Sequence, residues 1–200
     1  MHPDPAFRWD ADAARAFVAN EGFGVLFATT PDGPRVTHLP VVVGADGRLR
    51  FHLARRNALM PHLAGATALF VVQGPHAYIH PGWYDAGPDE VPTWNYVAVE
   101  VEGIVHPIDR AGLREQIDTL TEQYEAEWTF DAVDPPRGEA MLDAIAAFEL
   151  VPTEWRSTVK LSQNKPAIVR ERVVAALGDH PLAAWMREDG RPALAPGVGA

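Results

Sequence analysis

The chain has no cysteine among its 200 residues. Disulfides, thiolate zinc sites and cysteine nucleophiles are therefore all excluded, and a reducing cytoplasm is the compartment that fits. Positive charge is scarce: 17 lysines and arginines face 27 acidic residues, a formal charge of −10. Broad nucleic-acid binding depends on phosphate attraction, so that balance argues against it, although a small basic pocket for one phosphate is still allowed. No apolar run approaches the ~18 residues that cross a bilayer, and the start Met1-His2-Pro3-Asp4-Pro5 lacks the basic and apolar stretches of a signal peptide. A cytoplasmic protein without membrane partners is expected. Glycine-rich nucleotide fingerprints, a Walker-type loop and a nucleophile elbow around Ser162 are absent as well.

What is present supports a real core, since 47% of the residues are apolar. Asp10 is placed to cap a first helix carrying Phe17 and Val18, with Gly22 near its end. Phe23 to Thr29 reads as a buried strand, and Pro31-Asp32-Gly33-Pro34 as a turn. Arg35 to Val43 alternates, with Thr37, Leu39, Val41 and Val43 on one face and Val36, His38 and Pro40 on the other. Gly44 to Gly47 closes a hairpin onto Leu49 to Leu53. A short helix is expected from about Asn57, followed by a strand over Thr67 to Gln73.

Then comes an unusual stretch: Gln73 to Ile79, Trp83-Tyr84, and Pro92-Thr93-Trp94-Asn95-Tyr96. Large rings set among prolines and glycines read as an aromatic loop suited to a flat heterocycle or a subunit contact. Tyr96 to Val105 alternates as a strand, and helices are expected over Asp109 to about Trp128 and from Pro135. Phe148 to Leu161 reads as one or two strands interrupted at Pro152. Helices over Pro166 to Leu177 and Pro181 to Arg187 follow. At least five strands joined by short turns point to a small closed barrel in an α+β domain.

Four motifs in order carry a family resemblance: Thr37-His38-Leu39-Pro40, Gly74 to Ile79, Pro92 to Tyr96, and Lys160-Leu161-Ser162-Gln163-Asn164. Together they resemble the PaiB-type family of FMN-binding, negative transcriptional regulators, from roughly Phe7 to Arg187. The resemblance implies an α+β fold built on a six-stranded split β-barrel with peripheral helices. One FMN-binding domain over residues 1–190 with a C-terminal helical extension is expected, and residues 191–200, outside the resemblance, are expected to form a flexible tail. The resemblance further implies a homodimer with FMN at the subunit boundary and, at most, indirect or weak action on DNA, for no helix-turn-helix stands out.

The residues give that implication a chemistry. His52-Leu53-Ala54-Arg55-Arg56-Asn57 sets two guanidiniums beside a helix N-terminus that Asn57 would cap. Arginine forks and free helix amides both favour a phosphate, while the plainer reading is a solvated loop with an ordinary cap. By the resemblance, Thr37, His38 and Leu39 lay backbone amides along the isoalloxazine edge, and His52, Leu53, Arg55 and Asn57 receive the phosphate end. Asn95 and Tyr96 reach the flavin of the partner subunit, or else Trp83, Tyr84, Trp94 and Tyr96 form a dimer core. Lys160, Ser162 and Gln163 contact phosphate or ribityl hydroxyls, and Asn164 is either part of that cluster or a helix cap. A metal or haem site among His38, His52, His76 and His80 is disfavoured, because no suitably spaced carboxylate accompanies them. No residue is an evident acid or base. The competing class is an FMN-dependent oxidoreductase or flavin reductase using the same cleft.

Overall fold

The computed structural model describes residues 2, 4–85, 87, 89–125 and 127–188. The expected tail at 191–200 lies outside the described residues. The chain gathers into two compact units. A larger one takes Val18–Val72 and Glu100–Trp155, and a smaller one takes the described residues of 1–17, Gln73–Val99 and 156–188.

Seven strands form one sheet: β1 (Phe23–Thr30), β2 (Gly33–Pro40), β3 (Val42–Val43), β4 (Leu49–Ala54), β5 (Thr67–Ile79), β6 (Thr93–Ile108) and β7 (Ile145–Lys160). Their order is β2-β1-β5-β6-β7-β4-β3, and β3 is a two-residue strand added to the six expected. The pairings β1–β2, β1–β5, β3–β4 and β4–β7 are antiparallel. β2 and β4, far apart in that order, nevertheless touch, so the sheet of the larger unit curls on itself as a split barrel must. The helices are α1 (Ala11–Glu21), α2 (Met60–Leu63), α3 (Arg110–Tyr124), α4 (Pro135–Asp143), α5 (Ala167–Leu177) and α6 (Pro181–Arg187).

Period-two patterning builds the larger unit's core. Gly24, Leu26, Ala28 and Thr30 face inward from β1, and Leu49, Phe51 and Leu53 from β4. Phe51 and Phe148 are register partners whose rings stack at 5.9 Å. At Gly103 the backbones come so close that an added Cβ would lie 2.6 Å from Leu150 Cδ2. A second apolar cluster of Leu113, Phe130, Leu142 and Ala147 seats α3. In the smaller unit the fully buried Phe17 ring meets Trp9 at 5.4 Å and Trp185 at 5.6 Å.

Several expectations change. Gln73 to Ile79 is the second half of β5 and not a loop: Ala77 and Ile79 point in while His76 and Tyr78 point out. Gly74 and Pro75 look like turn punctuation, but the strand runs through them, and across them the buried face shifts from Ala68, Phe70 and Val72 to Ala77 and Ile79. The run from Arg35 to Val43 is not continuous. Val41 N–H leaves the ladder to donate to Gly22 O at 2.8 Å, separating β2 from β3. β7 is one strand despite Pro152. Asp10 does cap α1, its carboxylate accepting from Ala13 N–H at 2.8 Å. Among the described residues, no helix is long and apolar enough to cross a membrane.

Candidate functional site

The expected site residues divide between the two units. In the larger unit, β1 is the one hydrogen-bonded neighbour of β2 among the described residues, which leaves the outer backbone edge of β2 unpaired within the sheet they form. On it Thr37 is half-buried, His38 exposed and Leu39 buried. β4 ends at Ala54, and the turn that follows is tied to β2 by Asn57 Nδ2, which donates to Thr37 Oγ1 at 3.2 Å. Asn57 Oδ1 accepts from Leu59 N–H at 2.9 Å, closing an Asx turn.

This corrects one expectation. α2 starts at Met60, is four residues long and has Leu59, without a side-chain bond, at its cap. Asn57 therefore braces the turn against β2 and does not cap a helix. Such a short helix offers no meaningful dipole to a phosphate, so any anion must be held by the guanidiniums. Arg55 is anchored at its own main chain, N–H to Ala144 O at 2.9 Å, and through Nε to Asp143 O at 2.8 Å. Both of its terminal nitrogens are left to donate elsewhere. Arg56 is exposed and has no hydrogen-bond or ion-pair partner among the described residues.

His52 and Leu53 point oppositely. Leu53 is buried with Phe51 in the core, whereas His52 Nδ1 lies 2.7 Å from Gln116 Oε1 on α3. With Gln116 Oε1 as the acceptor, His52 Nδ1 is the donor of this bond. His52 thus fixes β4 to α3, a bond whose partners stand 64 positions apart.

In the smaller unit, Asn95 on β6 is fully buried and donates through Nδ2 to Ser162 Oγ at 2.8 Å. Its Oδ1 has no hydrogen-bond partner among the described residues. Ser162 is itself buried and held at φ +59°, a left-handed conformation costly for a serine. Lys160 Nζ donates to Thr93 Oγ1, and burial lowers its pKa below the usual lysine value of 10.5. These residues, with Tyr84, Glu90, Val91, Asn164 and Lys165, line a cavity of about 180 Å³. Lys165 Nζ reaches both Glu90 carboxylate oxygens at 2.7 Å and sits 4.7 Å over the Tyr84 ring. Gln163 is spent on its own turn: Oε1 accepts from Leu161 N–H at 2.7 Å, and Nε2 donates to Val159 O and Ala6 O. Asn164 does not cap α5, whose cap is Pro166 without a side-chain bond.

Tyr96 is half-buried next to Asn95 on β6. Trp94 stays 54% exposed and clusters with His76 at 6.2 Å and Tyr78 at 6.1 Å, whereas Tyr84 is buried. Glu90 and Thr93 escaped the sequence reading. Their partners lie 75 and 67 positions away, so even the motif that contains Thr93 does not reveal its bond to Lys160.

The larger unit's group fits a flavin mononucleotide on the donors it shows. Two adjacent guanidiniums suit a dianionic phosphate, and an unpaired strand edge suits the donor and acceptor rim of a flat heterocycle. The smaller unit's cavity, about 180 Å³ within one chain, is by itself smaller than the roughly 300 Å³ that a drug-sized ligand fills.

Comparison with known proteins points to the same cofactor. Residues 1–154 match the domain family described as "Putative FMN-binding domain". Over 157 residues the chain is 31% identical to "Protease synthase and sporulation protein PAI 2" of Bacillus subtilis (strain 168), covering 74% of this chain and 75% of that protein. Among solved structures it is similar to the FAD and haem binding protein of Mycobacterium smegmatis, with TM-score 0.61, 15% identity, and 84% and 78% of the two chains covered. It is also similar to the flavocytochrome Anf3 of Azotobacter vinelandii, with TM-score 0.61, 18% identity, and 76% and 68% covered. At these identities the likeness is one of fold.

Proposed function

The chain belongs to that family of FMN-binding domains, as its resemblance to PaiB-type proteins implied, and from this premise we propose that it is a homodimeric, cytoplasmic FMN-binding repressor of transcription. The observation that carries the reading is the Asn57–Thr37 bond, which holds a turn with two uncommitted guanidinium ends beside the open edge of β2. Arg55 and Arg56 take the phosphate as paired donors, and Asn57 keeps their turn in place. The main chain of Thr37, His38 and Leu39 meets the ring edge, while the buried Leu39 and Leu53 side chains hold β2 and β4 in position. Bound flavin would supply reversible uptake of electrons or hydride. His52, locked to Gln116, is assigned a positioning role.

The exposed Trp94, Tyr78 and His76 cluster is the surface offered to a second copy, because aromatic rings concentrate at subunit contacts. The regulatory role draws on the relative's name, which couples a protease synthase with sporulation. With a formal charge of −10, promoter recognition must come from local contacts and not from a general attraction to phosphate. The test is direct. Purified protein is expected to carry flavin near one per chain, to elute as a dimer and to retain a specific promoter fragment in a salt-sensitive way. Rapid bleaching of the flavin by a nicotinamide nucleotide, without fragment retention, would replace the repressor with a reductase.

A further inference from the structure

The cavity of the smaller unit has a donor and acceptor inventory that its own residues do not use up. Asn95 is fully buried, and its Oδ1 receives no hydrogen bond from the described residues. A buried amide oxygen left without a donor is costly, on the order of 1–3 kcal/mol. Lys160 has one partner, the neutral Thr93 hydroxyl, and no carboxylate among the described residues pairs with it. Two of its three ammonium hydrogens remain to be placed. Ser162 accepts from Asn95 and keeps its own O–H to give, as Thr93 does after accepting from Lys160. Glu90, the cavity's one carboxylate, is neutralised by Lys165. A cation is therefore repelled, and an anion finds an ammonium and two hydroxyls.

We propose that this cavity is a second binding site, distinct from the flavin's, for a small carboxylate that carries a hydroxyl or ammonium group next to its carboxyl. The carboxylate accepts from Lys160, Ser162 and Thr93, and the neighbouring donor satisfies Asn95 Oδ1. Size agrees: about 180 Å³ is the room of about six waters, enough for a hydroxy or amino acid of two or three carbons. The strained Ser162 backbone is accounted for as well, since its left-handed turn is what brings Oγ to the Asn95 amide. The proposal does not depend on the flavin reading, because no residue lining this cavity belongs to the larger unit.

The test is calorimetric titration of the full chain, saturated with FMN, using L-lactate, L-alanine, propionate and inorganic phosphate as separate probes. Lactate or alanine is expected to bind at least about tenfold more tightly than propionate, which leaves Asn95 unmet. The stronger of the two identifies the donor as hydroxyl or ammonium. Lys160→Met is expected to weaken every carboxylate at least about tenfold. Asn95→Leu should make lactate and propionate equal. If that variant does not fold, Thr93→Val replaces it and should lower carboxylate affinity several-fold. Absence of binding by lactate and alanine, tighter binding of phosphate than of either, or a Lys160→Met protein that binds them like the parent would each overturn the proposal.

Discussion

The turn at Arg55–Asn57 and the cavity around Asn95 are both polar clusters, yet their physical situations are opposite. In the turn the charges are exposed, and the neutral brace, Asn57, is bonded at both ends of its amide, to Thr37 and from Leu59. Around Asn95 the cation is half-buried, and the neutral group is the one left wanting. Exposed guanidiniums cost little to keep charged in the absence of a ligand and suit a large dianion arriving from solvent. A half-buried ammonium and an orphan amide oxygen carry a standing penalty that a small partner relieves. Charge density alone would have ranked the turn first and missed the cavity.

The largest expected effect separates the two clusters outright. Arg55→Ala with Asn57→Ala should weaken FMN about a hundredfold, the loss of roughly 3 kcal/mol of charge-assisted bonding, and leave carboxylate binding in the smaller unit untouched. Flavin fluorescence quenching measures this, and equal losses at both sites would erase the distinction. Next, Thr37→Val removes the brace and no charge. FMN affinity should fall about fivefold, with thermal stability lowered by no more than about 1 kcal/mol. A larger loss of stability than of affinity would make that bond structural only.

Salt gives a smaller contrast. Raising ionic strength from about 0.05 to 0.5 M should weaken FMN several-fold, because exposed charges are screened, and should weaken the half-buried Lys160 site less. The smallest effect concerns pH. Burial holds the folded Lys160 pKa below its unfolded value, so the folded state is penalised while that lysine is charged and relieved once it is neutral. Lys160→Met should therefore raise the denaturation midpoint slightly at pH 7. The difference from the parent should shrink as pH rises through the lowered pKa toward 10.5. A gap that widens with pH would contradict the burial argument.

Much of the fold was legible locally, where its causes are local. The alternation from Leu49 to Leu53 and the Asp10 cap follow from side-chain period and one carboxylate. Misreadings occurred where a distant partner decides. Gly74 and Pro75 look like a turn until β5 is seen to continue, and Val41 leaves its strand for the Gly22 carbonyl just before β1. The site followed the same division. Arg55, Arg56 and Asn57 are contiguous and could be noticed as a cluster. Asn95, Thr93, Lys160 and Ser162 meet across 67 positions, so their residue types were visible in the sequence but not the cavity they share.

The central claim is that the larger unit's basic turn, and not the smaller unit's lysine, holds the flavin phosphate. One titration of FMN into flavin-free protein tests it, comparing the parent, the Arg55→Ala/Asn57→Ala protein and the Lys160→Met protein. The account predicts saturation near one flavin per chain, a curve shifted about a hundredfold for the first variant, and a curve superimposed on the parent's for the second. A shift confined to Lys160→Met, or three identical curves, would contradict it.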